Sequence, residues 1–287
     1  MIRWCSYCQS FQGEIEPFDD YSMTHMICER CDSHALAANE PDLAPQREVA
    51  AYYGELRTLV REGRIDDATL LLDQAPGLGI VPSDLVAGLV QPLVHWLSGF
   101  LSETSLPAIL RDYTGKMAVF LEQLALRYPE LERFRNVDSP RVLLVAAAGE
   151  FGWVGDLMAE LTLAAHAVSS RVVSFDGDVW AILTQIRQCQ PQCLGFGVSS
   201  EDQLLAIEGL VERLREEPSL LPMMMLVGGL PIRMGLTLDS KLGVHHCRSA
   251  MDIVRHLSQP VSAGKGRGLY LNVDSQRGRA NSKPAVS

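Results

Sequence analysis

What the chain lacks narrows its function first. No uninterrupted apolar run reaches the length of a membrane-spanning helix, because the stretch 85–101 carries His95 and several small or polar residues. Cys5 and Cys8 stand where a secretion signal would place a basic and then an apolar segment, which predicts a cytoplasmic protein with no membrane contact. Positive charge is scarce: 25 Lys+Arg against 35 Asp+Glu give a formal net charge of −10. Direct nucleic-acid binding by the whole molecule is therefore not expected, since phosphates want a basic footprint. The tail departs from that balance, with Lys265, Arg267, Arg277, Arg279 and Lys283 against Asp274. There is no serine–histidine–acid order, no phosphate-binding P-loop and no helix-turn-helix, and the chain is not read as an enzyme. Seven cysteines, an odd number, do not suggest a disulfide framework.

What is present falls into four parts. Residues 1–35 form a small cysteine unit, followed by a connector at 36–45 that holds Pro41 and Pro45. Residues 46–135 read as a four-helix bundle, with helices expected over 48–62, 66–74, 83–101 and 106–128. From Arg141 the rhythm changes. Apolar runs at 142–147, 171–175, 193–198, 223–227 and 243–246 alternate with helical stretches at 155–168, 179–188, 201–216 and 249–257. Short apolar strands alternating with helices predict an α/β fold over 140–258: a flavodoxin-like, five-stranded parallel sheet in the order 2-1-3-4-5. Its ligand crevice would lie at the carboxyl edge, beside the first and third strands. Residues 259–287 read as a basic, flexible tail, in which 268–273 could dock as a short strand.

In the cysteine unit, Cys5-x-x-Cys8 and Cys28-x-x-Cys31 make two thiolate pairs. Two such pairs can converge into a tetrahedron around zinc, and a core this small needs a staple of that kind. Four sulfurs close the site, so the expected role is structural and the module zinc-ribbon-like. His25 is a neighbour of the set rather than a member.

The region 48–257 resembles the cobalamin-binding module, a helical cap followed by a flavodoxin-like domain, over roughly three-quarters of the chain. The matching segments are Arg61-Glu-Gly-Arg-Ile-Asp-Asp-Ala68 and Gln91-Pro-Leu-Val-His-Trp-Leu-Ser-Gly-Phe-Leu101 in the cap. In the sheet they are Gly149-Glu-Phe-Gly-Trp-Val-Gly155, Val198-Ser-Ser200 and Leu226-Val-Gly-Gly229. The module is shared by corrinoid methyltransfer proteins, CarH-type light sensors and AerR/PpaA-type antirepressors; a heme-binding variant occurs in AppA-like redox sensors. The resemblance implies a cofactor site made by Trp96 above the macrocycle and by Glu150, Gly152, Trp153, Gly155, Ser199, Gly228 and Gly229 below it. Gly152 stands where the family places a cobalt-ligating histidine, and Leu106-Pro107 stand where light-sensing caps carry a Glu-His pair. Without those ligands, methyl transfer loses the axial coordination on which it depends.

The expected cofactors are zinc and cobalamin, with heme as the alternative. The resemblance implies a sensory regulator of transcription, antirepressor-like, acting on a protein partner such as a transcription factor, with light or cofactor occupancy as its input. The alternatives are a corrinoid carrier for methyl transfer, a heme-binding redox sensor, or an adaptor with no cofactor. His95, His166, His245 and His246 are candidate substitute metal ligands.

Overall fold

A computed structural model describes residues 1–33, 44–102, 107–147 and 152–258. Most of the connector at 36–45, Leu106, Glu150 and the tail from 259, with the strand expected at 268–273, lie outside the described residues. Strands β1 (Ile2–Cys5), β2 (Phe11–Glu14) and β3 (Met23–Met26) form a three-stranded sheet in the order β2-β1-β3, followed by the short helix α1 (Glu29–Ser33). Ile2 and Trp4 are fully buried, and they belong to the same apolar cluster as the helices that follow. The cysteine unit thus shares its core with the cap.

The cap contains α2 (Ala44–Arg61), α3 (Ile65–Leu71), α4 (Pro82–Asp84), α5 (Gln91–Ser102), α6 (Pro107–Arg127) and the short α7 (Pro129–Glu132). α2 begins at Ala44, earlier than its apolar spacing indicates, because a proline in the first helical turn forfeits no hydrogen bond and Pro45 falls there. The second helix stops at Leu71 and continues as 3₁₀ turns over Leu72–Leu78, where Pro76 cannot donate to an α-helical ladder. Leu71 and Leu72 are buried there, while Leu70 is exposed.

The expected third helix is interrupted by a π-helical segment, Leu85–Val90, that joins α4 to α5. Gly88 lies within it, and a Cβ added there would meet Cβ and Cγ of Phe11 at 2.8 Å. Phe11 of the cysteine unit therefore packs directly on the backbone of this widened turn.

The second layer system is the sheet: β4 (Val142–Ala147), β5 (Ser170–Phe175), β6 (Cys193–Val198), β7 (Met224–Gly229) and β8 (His245–Cys247). Its order is β5-β4-β6-β7-β8 and every pair is parallel, which is the flavodoxin-like arrangement 2-1-3-4-5. The helices between and after the strands are α8 (Gly152–Ala165), α9 (Val179–Cys189), α10 (Glu201–Arg215), α11 (Leu230–Arg233) and α12 (Ala250–Ser258). The last strand starts later than its apolar run because Gly243, at φ +63°, ends a 3₁₀ turn at that point.

The period-two alternation of the strands assigns their faces. Leu143, Val145, Leu194, Phe196, Met225 and Val227 pack with α9 and α10. Val142, Leu144, Cys193 and Leu226 face α8 and α12, together with Leu163 and Ile253. α8 serves both systems, since Val154, Leu157, Met158 and Leu161 join the cap cluster while Leu163 joins the sheet. A helix apolar around most of its circumference is one that is buried on both sides.

Gly88→Ala should cost about 1–3 kcal/mol, because the new methyl meets the root of Phe11 and not a mobile tip. The measurement is chemical denaturation, and an unchanged midpoint would show that the cysteine unit does not press on this turn.

Candidate cofactor cavity and metal centre

Three of the four glycines of β6 and β7 fall on a single face. Gly195 and Gly197 alternate with Leu194, Phe196 and Val198, so both point toward α8 and α12, and Gly228 of β7 is paired with Gly197. The missing side chains leave a trough that Leu144 and Asp156 partly fill: a Cβ on Gly195 would meet Leu144 Cδ2 at 2.8 Å, and one on Gly197 would overlap Asp156 Oδ1. Gly229, at φ +128°, turns the chain immediately after it, and a Cβ there would overlap the carbonyl oxygen of Val198. Above the trough lies a cavity of about 530 Å³, within the range of roughly 300–1,000 Å³ typical of small-molecule sites.

Its sheet wall includes Gly155 and Asp156 of α8, the strand residues Gly195 and Gly197, and the loops bearing Ser199, Gly228 and Gly229. Its cap wall is a helical stripe of α5, made by Gln91, Val94, His95 and Ser98 at i, i+3, i+4 and i+7, with Tyr113 and Met117 of α6. The cavity thus sits at the carboxyl ends of β6 and β7, the position at which open α/β sheets hold ligands.

Among the residues anticipated from the sequence, Gly155, Ser199, Gly228 and Gly229 come together here. Ser199 directs both its backbone N–H and its hydroxyl to Oε1 of Gln203, each at 2.7 Å. Ser200 caps α10 by accepting from the N–H of Gln203. Trp96 is not a lining residue: it packs on the cap cluster under the Arg57 guanidinium, 4.9 Å from the ring centroid. It falls off the 91–94–95–98 stripe, and its neighbour His95 falls on it. Gly152 opens α8, and Trp153, 46% exposed, lies beside it outside the lining. Glu150 is outside the described residues.

The other histidines are engaged elsewhere. His246 accepts at Nε2 from the N–H of Leu238, His166 bonds the carbonyl of Thr162, and His245 packs on His256.

Three side chains on the lining carry buried polar atoms with no hydrogen-bond partner among the described residues: Gln91 Oε1, His95 Nδ1 and Asp156 Oδ2. They are three of twelve such atoms among the described residues, and they give this lining open hydrogen-bonding capacity toward a polar ligand or water. Desolvation, with a smaller push from the Arg233 charge, holds His95 well below the ordinary imidazole value, which leaves it neutral. Burial alone pushes the Asp156 carboxyl up to about 7. Since an unfolded aspartate titrates near ~4, the folded protein takes up a proton across that interval, and the stability Asp156 contributes falls as pH rises through it. Sequence reasoning missed Gly195, Gly197 and Asp156. The signal was available as two glycines at period two inside a strand, which mark a close approach to the sheet face.

The four cysteines form a second candidate site. Their sulfur atoms all lie within 4.8 Å of one another, and Cys8 and Cys28 are 3.8 Å apart. A tetrahedron with metal–sulfur bonds of ~2.3 Å has sulfur–sulfur edges of ~3.8 Å, whereas a disulfide needs ~2.05 Å. All seven cysteines are free. At Cys5 desolvation opposes ionisation, but N–H donors from Cys8, Cys28 and Tyr7 outweigh it and bring the thiol down to about 6. Burial pushes Cys31 up to about 12. The set could hold a metal ion. Purified protein is expected to carry about one equivalent of a thiophilic metal and Cys28→Ser to lose most of it by elemental analysis; equal metal in both would remove this site.

No family model matches the chain, and no curated protein matches it. Among solved structures, the monomethylamine corrinoid protein of Methanosarcina barkeri superposes with a TM-score of 0.52 at 16% identity, covering 71% of this chain and 95% of that one. A cobalamin-binding protein from Desulfitobacterium hafniense DCB-2 gives a TM-score of 0.39 at 14% identity, covering 71% of this chain and 96% of that one. The methanol:cobalamin methyltransferase complex MtaBC from Methanosarcina barkeri gives 0.36 at 16%, covering 80% and 89%. The first of these shares the fold of this chain: a helical cap on a flavodoxin-like sheet.

Proposed function

We propose that this protein binds a corrinoid, cobalamin in preference to heme, in the cavity between cap and sheet, and that it works as a sensory regulator. The observation that carries the reading is the cavity itself. It is floored by glycines at the carboxyl edge of the sheet, walled by a cap helix, and lined by three unpartnered polar atoms. The solved corrinoid protein of the same fold supports the choice of ligand class.

A bound corrinoid would supply a cobalt centre whose coordination can change. The chain's own residues do the rest. Gly195, Gly197, Gly228 and Gly229 would floor the site, with Leu144 and Asp156 settled over the first two, while Gln91 and His95 face it from the cap with hydrogen-bonding capacity left open. Gly152 offers no imidazole from the sheet side, which weighs against a methyl carrier and toward a sensor. Occupancy would then bias how the cap sits on the sheet, and a protein partner, a transcription factor in the antirepressor manner, would read that difference. The four-cysteine unit, with zinc as the metal its sulfur set favours, would hold the N-terminal sheet in place.

The test is to incubate purified protein with cobalamins or hemin, remove free ligand by gel filtration, and record the visible spectrum. A retained corrinoid spectrum at about one equivalent is expected. A Soret band after hemin with no corrinoid retention would reverse the choice of ligand, and colourless protein in both arms would end the tetrapyrrole reading.

A further inference from the structure

Asp156 and Glu160 lie one helical turn apart on α8, and both are nearly inaccessible, at 3% and 2% exposure. Their treatment differs. Glu160 Oε2 accepts from Arg135 Nε at 2.9 Å, and that guanidinium also bonds Glu122 and Glu132. Asp156 has no cation and no hydrogen bond among the described residues, and its Oδ2 is buried and unpartnered. Packing does not require a carboxyl at this point, since Leu144, Met158, Ala159 and Ile253 around the cavity are apolar. Gly197 makes its room: a Cβ on that residue would overlap Asp156 Oδ1. A buried carboxyl with no partner costs stability, and a strand glycine is needed to accommodate it, so the pair is best explained by something that arrives from the cavity.

We propose that Asp156, seated against Gly197, is a specificity-determining residue that hydrogen-bonds a neutral polar group on a narrow arm of the ligand. This rests on the corrinoid reading above and deepens it. The carboxyl sits recessed on the cavity wall, in the room Gly197 leaves, 3% exposed and with Leu144 beside it over Gly195; a slender substituent suits such a recess better than the face of a macrocycle. On a complete corrinoid, that substituent is the nucleotide arm, whose ribose hydroxyls and base nitrogens suit a carboxyl donor or acceptor. Cobinamide, the same macrocycle with the nucleotide removed, has nothing to offer there. The propionates of heme would bring a like charge to a carboxyl that has no cation beside it.

The experiment measures dissociation constants of cobalamin and cobinamide for the full chain, by fluorescence quenching or absorbance titration, in wild type, Asp156→Asn and Asp156→Ala. Wild type is expected to favour cobalamin about ten-fold or more, the size of one buried hydrogen bond and its desolvated partner. Asp156→Asn has the same shape and still donates, and should keep most of that preference. Asp156→Ala should reduce it to about three-fold or less while leaving cobinamide affinity unchanged. The apoprotein of Asp156→Ala should melt no lower than wild type, because it loses an unpartnered polar group; a purely structural aspartate would melt lower. If Asp156→Ala does not fold, Asp156→Ser, too short to reach, takes its place. Cobalamin binding with an unaltered preference in the truncated variant overturns the role of Asp156 alone. Failure of wild type to bind either corrinoid overturns the corrinoid reading as well.

Discussion

The cavity depends on missing side chains along two adjacent strands. Gly195 and Gly197 on β6 and Gly228 on β7 line the face of the sheet toward α8 and α12, where Leu144 and Asp156 settle against the first two, and Gly229 lets the chain turn against Val198. Interiors pack to crystal-like density, so a void of this size persists only where no side chain is available to collapse into it. On the opposite face Leu194, Phe196 and Val227 pack in one apolar cluster with α9 and α10. One strand therefore does two jobs through its pleat, filling a core on one side and leaving a site on the other.

α8 turns that local feature into a relation between two parts of the protein. Its apolar residues enter the cap cluster and the sheet cluster, and its buried Glu160 is tied to Arg135 beyond α7. Removing one partner of such a pair leaves an uncompensated buried charge, so the arrangement fixes the cap end of α8 firmly. The cysteine unit ties the other side. Ile2, Trp4 and Phe11 pack on the cap, while Glu14 of β2 pairs with Arg233 through two bonds of 3.0 and 3.2 Å. Arg233 closes α11, the short helix that follows Gly229, and it also bonds the carbonyls of Phe18 and Arg248. Phe18 lies within cation–π distance of both guanidiniums, Arg233 at 5.5 Å and Arg248 at 4.9 Å. The N-terminal sheet thus contacts both the cap and the short helix that follows β7.

Most of the sheet was legible because its signals are local. Short continuous apolar runs gave β4 and β6 with their observed bounds, and the βα rhythm gave the strand order. The cysteine cluster was legible from spacing, since four soft donors in two paired knuckles admit few arrangements. Features that depend on contact between distant segments were not. The π segment at Leu85–Val90 cannot be separated from an ordinary apolar helix until Phe11 is seen against Gly88. Trp96 illustrates the same limit, because adjacent helical positions point about 100° apart and the spacing alone does not say which one faces the sheet. His95 faces it, and Trp96 lies under Arg57.

The distribution of unpartnered polar atoms is the last piece that sequence does not contain. Gln91 and His95 come from the cap and Asp156 from α8, so no local pattern links them, yet all three line the same space. A polar group left open in a dry core is a recurring cost of folding, and three converging on one cavity add up to a substantial fraction of a stability of ~5–15 kcal/mol. The cap supplies two of the three and α8 the third. A ligand satisfying all of them would bridge cap and sheet, and its binding energy would go into holding the two at one fixed separation.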